Sequence, residues 1–156
     1  MSGIFVVVPI LAAAPVVLSA TAAVAAAMGF SMVRQGAEEL ETRFREQGEA
    51  MVEFDLAEAR GMETLLREQG AIQLDREDAS LCFLPRRGRV QMLVRAKGKA
   101  TARELEALGR EVLDGITQQY AYHQVVSELK SRGFSKVEES REEDGTLRLR
   151  LRRWDG

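Results

Sequence analysis

IFVVVPILAAAPVVLSATAAVAAAMGFSMV, residues 4–33, is the stretch on which the predicted fold depends most. Residues 1–33 contain no charged side chain, whereas all 22 Lys and Arg residues and all 24 Asp and Glu residues lie from Arg34 onward. An α-helix needs roughly 20 apolar residues to span a bilayer, and this stretch is longer than that. The sequence therefore predicts that residues 1–33 form an apolar helix that leaves water.

Four interpretations of this apolar segment compete: a transmembrane helix, a cleaved signal peptide, a helix for self-assembly and a buried helix of a soluble fold. A signal peptide is disfavoured because no Lys or Arg precedes the apolar run. Alanine is only marginally favourable for membrane insertion. Pro9 and Pro15 each remove a backbone donor, so the helix either is kinked or begins near Pro15. We favour membrane anchoring combined with self-assembly.

Small side chains recur along this segment at helical spacing. Ser19, Ala23 and Ala27 are four residues apart, and so are Ala22 and Ala26. Such a ridge allows two helices to approach closely. We therefore predict that these five positions form the helix-packing surface of a homo-oligomer.

The charges that flank the apolar segment predict its orientation. No basic residue precedes it, while Arg34, Arg43 and Arg45 lie closely behind it. The positive-inside rule then places the C-terminal remainder of the chain in the cytoplasm. The expectation is a single-pass membrane protein with the lipid bilayer as a partner and a cytoplasmic C-terminal domain.

Three domains are predicted: the apolar transmembrane or assembly helix 1–33, a charged helical connector 34–48 and a soluble α+β domain 49–156. Hydrophobic periodicity in the last domain predicts the order β-α-β-β-β-α-β-β, an antiparallel or mixed sheet with two helices. Its longest helix begins at a T-x-x-E capping box formed by Thr101 and Glu104.

Few residues are available for catalysis or metal binding. Cys82 and His123 are the single cysteine and the single histidine, so a Cys/His zinc site is not available. No phosphate-binding glycine loop and no G-x-S-x-G motif occurs. We therefore predict a non-enzymatic protein with no catalytic residue, cofactor or metal. The net charge of −2 disfavours nucleic acid as a partner.

A basic hairpin tip is the first candidate docking site. Arg86, Arg87 and Arg89 lie between the apolar runs 81–84 and 90–94, in a turn that contains no acidic residue. An exposed solvated tip is the more ordinary interpretation. The alternative prediction is that these three arginines dock a partner.

A second arginine stripe lies near the C-terminus. Arg148, Arg150 and Arg152 alternate with leucine, as expected for a half-buried strand. A three-residue turn would place Glu138 and Glu142 opposite two of them, so cross-strand pairing accounts for much of the stripe. Docking through this stripe is the weaker expectation.

The segment ITQQYAYHQVVSELKSRGFSKVEESREEDGTLRLRLRRW, residues 116–154, resembles the uncharacterised family known as hypothetical chloroplast open reading frame thirty-five, which also has bacterial relatives. The positions that carry the resemblance are Gln119, Tyr120, Ala121, Tyr122, Gly133, Phe134, Asp144, Gly145, Arg153 and Trp154. The likeness concerns the C-terminal part, and the apolar start departs from the family pattern. The resemblance implies an association with MoxR-type AAA ATPases, some in systems of conflict or defence, and it implies no catalytic residue.

Together these observations predict a membrane-anchored, self-associating accessory or adaptor protein whose cytoplasmic domain docks a partner, with an AAA-type ATPase as the candidate. Two alternatives remain open. One is a pore-forming membrane effector of a bacterial conflict or defence system. The other is a soluble homo-oligomeric assembly protein whose apolar helices form a shared core.

Overall fold

A computed structural model describes residues 4–7, 13–46, 50–141 and 147–153 of the chain, with side chains for 4–6, 13–46 and 50–133. The chain divides into two compact units, Met1–Tyr120 and Ala121–Gly156. The elements in chain order are β1 (Ile4–Val7), α1 (Ala14–Ala27), β2 (Ser31–Gln35), α2 (Ala37–Arg45), β3 (Met51–Ala57), α3 (Arg60–Gln69), β4 (Ala71–Asp75), β5 (Ala79–Arg86), β6 (Arg89–Ala96), α4 (Ala102–Ser131), β7 (Phe134–Arg141) and β8 (Leu147–Arg153).

Six strands of the first unit form one mixed sheet in the order β1-β3-β6-β5-β4-β2. β1 pairs with β3 in parallel, and the other neighbours are antiparallel. The two strands from the apolar start, β1 and β2, therefore lie at opposite edges of the sheet. The structure is α+β, but its N-terminal part was predicted wrongly.

The apolar start is two strands and a helix of the sheet domain, not one long helix. The helix α1 begins at Ala14 with Pro15 in its first turn, where a missing backbone donor costs nothing. It ends before Gly29, which adopts φ +78°. The predicted boundary between residues 33 and 34 falls within β2. The apolar composition of this segment indicates burial, and its buried side chains lie in the core of the protein itself.

None of the helices in the part of the chain that the structure describes is long and apolar enough to cross a membrane. The helix α1 has 14 residues, about 21 Å at about 1.5 Å per residue, against a hydrocarbon core about 30 Å thick. The predicted single-pass membrane protein is therefore wrong. The bilayer as a partner and the cytoplasmic placement rested on the same helix and lose their basis.

The predicted charged connector 34–48 does contain a helix, α2, but this helix is part of the sheet domain. Its first residues complete β2, and α2 then packs against the sheet through the buried side chains of Leu40 and Phe44. Within α2, Glu41 Oε2 lies 2.9 Å from Arg45 Nε in an ion pair along the helix. Gly48, the expected end of the connector, lies outside the described residues. The first unit consequently contains two strands, β1 and β2, that the predicted element order lacked.

One face of the sheet carries the main core, and α1, α3 and α4 cover it. Its buried side chains include Phe54, Phe83 and Met92 from the strands and Val24 and Ile116 from the helices. Small residues bring the helices close. A Cβ added at Gly115 of α4 would lie 3.2 Å from a methyl carbon of Val24 in α1.

Several local features have a direct cause in the neighbouring sequence. Thr101 Oγ1 accepts a hydrogen bond from the backbone N–H of Glu104, at 3.1 Å, which forms the predicted capping box of α4. Gly70, at φ +90°, ends α3. Arg87 and Gly88 form the two-residue turn between β5 and β6, with Gly88 at φ +74°.

The second unit contains the antiparallel pair β7–β8. Ser140 pairs with Arg148, Glu138 with Arg150 and Ser135 with Arg152, and an irregularity lies between Lys136 and Glu138. The predicted register, with Glu138 opposite Arg152, is therefore wrong. The observed pairing is displaced by two residues at Glu138, and the irregularity between Lys136 and Glu138 shifts it again before Arg152 is reached.

Candidate functional site

Among the described helices of the first unit, α2 is the one that packs on the second face of the six-stranded sheet. Leu40 and Phe44 of this helix pack on Cys82, Leu84 and Leu93 of the two central strands. This apolar cluster is small, and charged side chains lie on both sides of it. We refer to this side of the sheet as the α2 face.

A closed ring of five side chains lies at one side of the cluster. Arg86 donates to Glu41 Oε2 at 2.6 Å and to Gln91 Oε1 at 2.7 Å. Gln91 donates to Glu53 Oε2 at 3.3 Å, and Arg45 donates to Glu53 Oε1 at 2.7 Å and to Glu41 Oε2 at 2.9 Å. This arrangement, which we call the Arg86 ring, ties α2 to β3, β5 and β6.

The electrostatics of the ring stabilise its charged form. Partial burial raises the pKa of Glu41, but hydrogen bonds from Arg86 and Arg45, together with their charges, outweigh it and hold the pKa below its usual value. The Glu41 side chain is about a quarter exposed, so its ion pairs are screened only in part. The ring is accordingly a structural clamp for α2.

The hairpin tip expected to dock a partner is mostly engaged within the chain. Arg86 belongs to the Arg86 ring, and Arg89 Nε lies 3.2 Å from Asp55 Oδ1. Arg87 at the turn is exposed and forms no hydrogen bond or ion pair with the described residues. Of the three predicted docking arginines, the structure therefore leaves Arg87 available.

A groove lies at the other side of the apolar cluster. The strand register places Asp75, Ser80 and Arg95 side by side on β4, β5 and β6. Arg95 is 3% exposed, and its guanidinium carbon stands 4.8 Å from the centre of the Phe44 ring. A guanidinium stacked on an aromatic ring is held in a fixed orientation.

The groove has a volume of about 280 Å³, and its described lining contains more cationic than anionic side chains. Its lining residues are Leu40, Arg43, Phe44, Gln73, Asp75, Arg95 and Lys97. Asp75 is hydrogen-bonded by Ser80, and its Oδ1 lies 2.6 Å from Lys97 Nζ. Partial burial raises the pKa of Asp75, but Lys97, Ser80 and Arg95 outweigh that effect and lower it. Arg43 forms no ion pair among the described residues.

Sequence reasoning missed this groove entirely. Its residues come from α2, β4 and β6 and from the turn after β6, so no local spacing brings them together. One signal was present: Arg95 interrupts the otherwise apolar end of the run RVQMLVRA, residues 89–96. A charged side chain on the buried part of a strand is costly unless other polar or charged groups surround it, so it marks a place where such groups gather.

The predicted helix-packing residues lie on the outer side of α1. Ser19, Ala26 and Ala27 are exposed, and Ala22 and Ala23 are half-buried. The opposite side, which faces the core, consists of Val17, Ala20, Thr21, Val24 and Ala25. The five predicted positions thus share a surface without any charged side chain, which we call the outer α1 face.

The remaining reactive side chains have ordinary surroundings. Cys82 is fully buried, and burial raises the pKa of its thiol to about 12. The His123 ring stands edge-on to Tyr122, with 5.4 Å between the ring centres. Across the described residues, no group of three or more His, Cys, Asp or Glu side chains is arranged to hold a metal ion. For Arg148, Arg150 and Arg152 the structure gives backbone pairing alone, so docking there stays a prediction.

The first unit is a small α+β domain with one mixed sheet and helices on both faces. The family described as "Protein of unknown function (DUF1257)" matches residues 94–150, less than half of the chain. The uncharacterised protein ycf35 of Pyropia yezoensis is 37% identical over 43 residues, which cover 28% of this chain and 34% of that protein. Its counterpart in Cyanophora paradoxa is 43% identical over 42 residues, which cover 27% and 33% respectively.

The chain thus matches about a third of the length of these curated relatives. The expected likeness to a ycf35-like family is supported at this level. No solved structure matches the chain. Because both relatives are uncharacterised, they bring no activity, ligand or partner to the argument.

Proposed function

We propose that this protein is a non-enzymatic accessory module that pairs with a second copy of itself through the outer α1 face. The observation that carries the proposal is the absence of charge on the exposed side of α1, from Pro15 to Ala27. A surface helix normally presents charged or polar side chains to water. An uncharged outer side is instead typical of a helix that another surface covers.

Shape supports the same conclusion. Ser19, Ala22, Ala23 and Ala26 are all small, so the backbone of a second helix can approach closely. The bulky apolar residues of α1, such as Val17 and Val24, lie within the chain's own core. A copy that docks on this face therefore leaves the core of each chain intact.

The test is the oligomeric state of the full chain, measured by analytical ultracentrifugation over a range of concentrations. We expect a concentration-dependent dimer. Ala26→Lys should weaken self-association by at least about tenfold, because it buries an unpaired charge in the interface. Ala107→Lys is the matched control, since Ala107 is an exposed alanine of α4. A monomeric full chain, or equal weakening by both substitutions, contradicts the proposal.

A partner-docking role at the hairpin tip is the second candidate. It is favoured by Arg87, which is exposed and makes no ion pair among the described residues. The partner class that the family resemblance implies is an AAA-type ATPase of the MoxR kind. Binding of a purified MoxR-type ATPase should be lost in Arg87→Glu and kept in Arg103→Glu, an exposed arginine of α4. Equal binding by both variants would exclude docking at the tip.

A further inference from the structure

We propose that the groove beside α2 is a binding site for a small anionic ligand, with Arg43, Arg95 and Lys97 receiving its phosphate or carboxylate group. This inference is independent of self-association, because the groove lies on the α2 face of the sheet while α1 covers the other face.

Charge is the first argument. The lining residues described for the groove include three cations and one carboxylate, Asp75. Asp75 is already engaged by Lys97 and Ser80. Among the described lining residues the cations therefore outnumber the carboxylates, which favours the entry of an anion.

Preorganisation is the second argument. Arg95 is almost completely buried, and it stacks on Phe44, which is itself 2% exposed. The guanidinium therefore loses little conformational entropy when it binds a ligand. Its planar fork of donors matches the two oxygens of a carboxylate or phosphate.

Access and size are the third argument. Arg43 is exposed at the rim and free of ion pairs with the described residues, so it can turn toward a ligand. The volume of about 280 Å³ lies at the small end of ligand pockets. A compact molecule with one or two oxyanion groups fits this space better than an extended peptide does.

The experiment is isothermal titration calorimetry of the full chain with inorganic phosphate, pyrophosphate and citrate, at constant ionic strength. We expect saturable binding of at least one of these probes. The relative affinities of pyrophosphate and citrate then distinguish a phosphate from a carboxylate ligand. An absence of saturable binding for all three probes overturns the proposal.

Two substitutions locate the site. Arg43→Gln should weaken binding about tenfold, as expected for one lost charge-assisted hydrogen bond. Arg103→Gln, which removes an exposed arginine of α4, is the matched control and should bind as the unchanged chain does. Equal losses in both variants would indicate unspecific attraction to positive charge and would overturn the site.

Asp75→Asn should change the affinity for the anionic probe in the opposite direction. It keeps an oxygen for the Ser80 hydroxyl but removes the carboxylate that competes with the ligand for Lys97. Affinity for the anionic probe should rise several-fold. An unchanged or lower affinity of this variant contradicts the proposed site. A poly-glutamate peptide is titrated as well, and tighter binding of this peptide than of every small probe would also contradict the proposal. Thermal unfolding of each variant checks that the fold is retained.

Discussion

The two faces of the six-stranded sheet are built on different principles. Three helices cover one face, and their contact with the strands is almost wholly apolar, centred on Phe54 and Phe83. One short helix covers the other face, where the small Leu40–Phe44 cluster lies between the Arg86 ring and the groove. The comparison teaches that the first face supplies the stability of the domain, whereas the second can place charged groups in ordered positions.

The largest expected effect comes from removing an aromatic side chain from the apolar face. Phe54→Ala should lower the free energy of unfolding by about 3–5 kcal/mol, through lost burial and the cavity left behind. Phe44→Ala on the α2 face should fall at or below the lower end of that range, because a single short helix relaxes more easily. Urea unfolding of both variants measures the difference. Equal losses would abolish the contrast between the faces.

A smaller effect is expected from Gly109 of α4, which lies directly over Phe54. A Cβ at this position would lie 2.7 Å from Phe54 Cζ, and the ring is fully buried. Overpacking costs about 1–3 kcal/mol, and better helix propensity returns about 1 kcal/mol, so Gly109→Ala should destabilise by up to about 2 kcal/mol. Phe54→Leu should absorb part of this cost in the double variant. If the stability losses of the two single variants simply add in the double variant, the two residues are not in tight contact.

The Arg86 ring should contribute less, and in a pH-dependent way. The folded-state pKa of Glu41 is lowered, so its stabilisation is fully present above the unfolded-state pKa of about 4.3 and is lost as the pH falls through the lower folded value. Glu41→Gln should cost about 0.5–1 kcal/mol at pH 7 and almost nothing near pH 2.

The matched control for this ring is Glu106→Gln, which breaks the exposed Glu106–Arg110 pair of α4. Its effect at pH 7 should stay below about 0.5 kcal/mol. Urea unfolding at the two pH values compares the variants. A loss for Glu41→Gln that is the same at pH 7 and pH 2 would mean that its charge is not the cause.

The smallest expected signal is the reaction of Cys82. Its thiol is buried and its pKa is raised to about 12, so iodoacetamide should leave the native chain almost unmodified at pH 8. Because Cys82 lies under α2, labelling in low urea reports opening of this face. We expect the opening that exposes Cys82 to have a lower free energy than global unfolding has. Labelling that coincides with global unfolding would show that α2 does not open by itself.

Local signals in the sequence were sufficient for individual elements. The capping box at Thr101, the stop at Gly70 and the hairpin turn before Arg89 all depend on neighbours within a few residues. The candidate site could not be found in this way. Arg43, Asp75 and Arg95 are far apart in the sequence, and only the strand register and the docking of α2 bring them together.

The apolar start shows which features the sequence predicts and which features only the tertiary structure decides. By itself the sequence indicated that the segment 4–33 buries apolar side chains, because none of its side chains has a charge to hydrate. Transfer out of water has a similar free energy whether a bilayer or a protein core receives the side chains. The pairing of β1 with β3 and of β2 with β4 decided between them, because two edges of one sheet can be completed only by cutting the apolar run into strand, helix and strand.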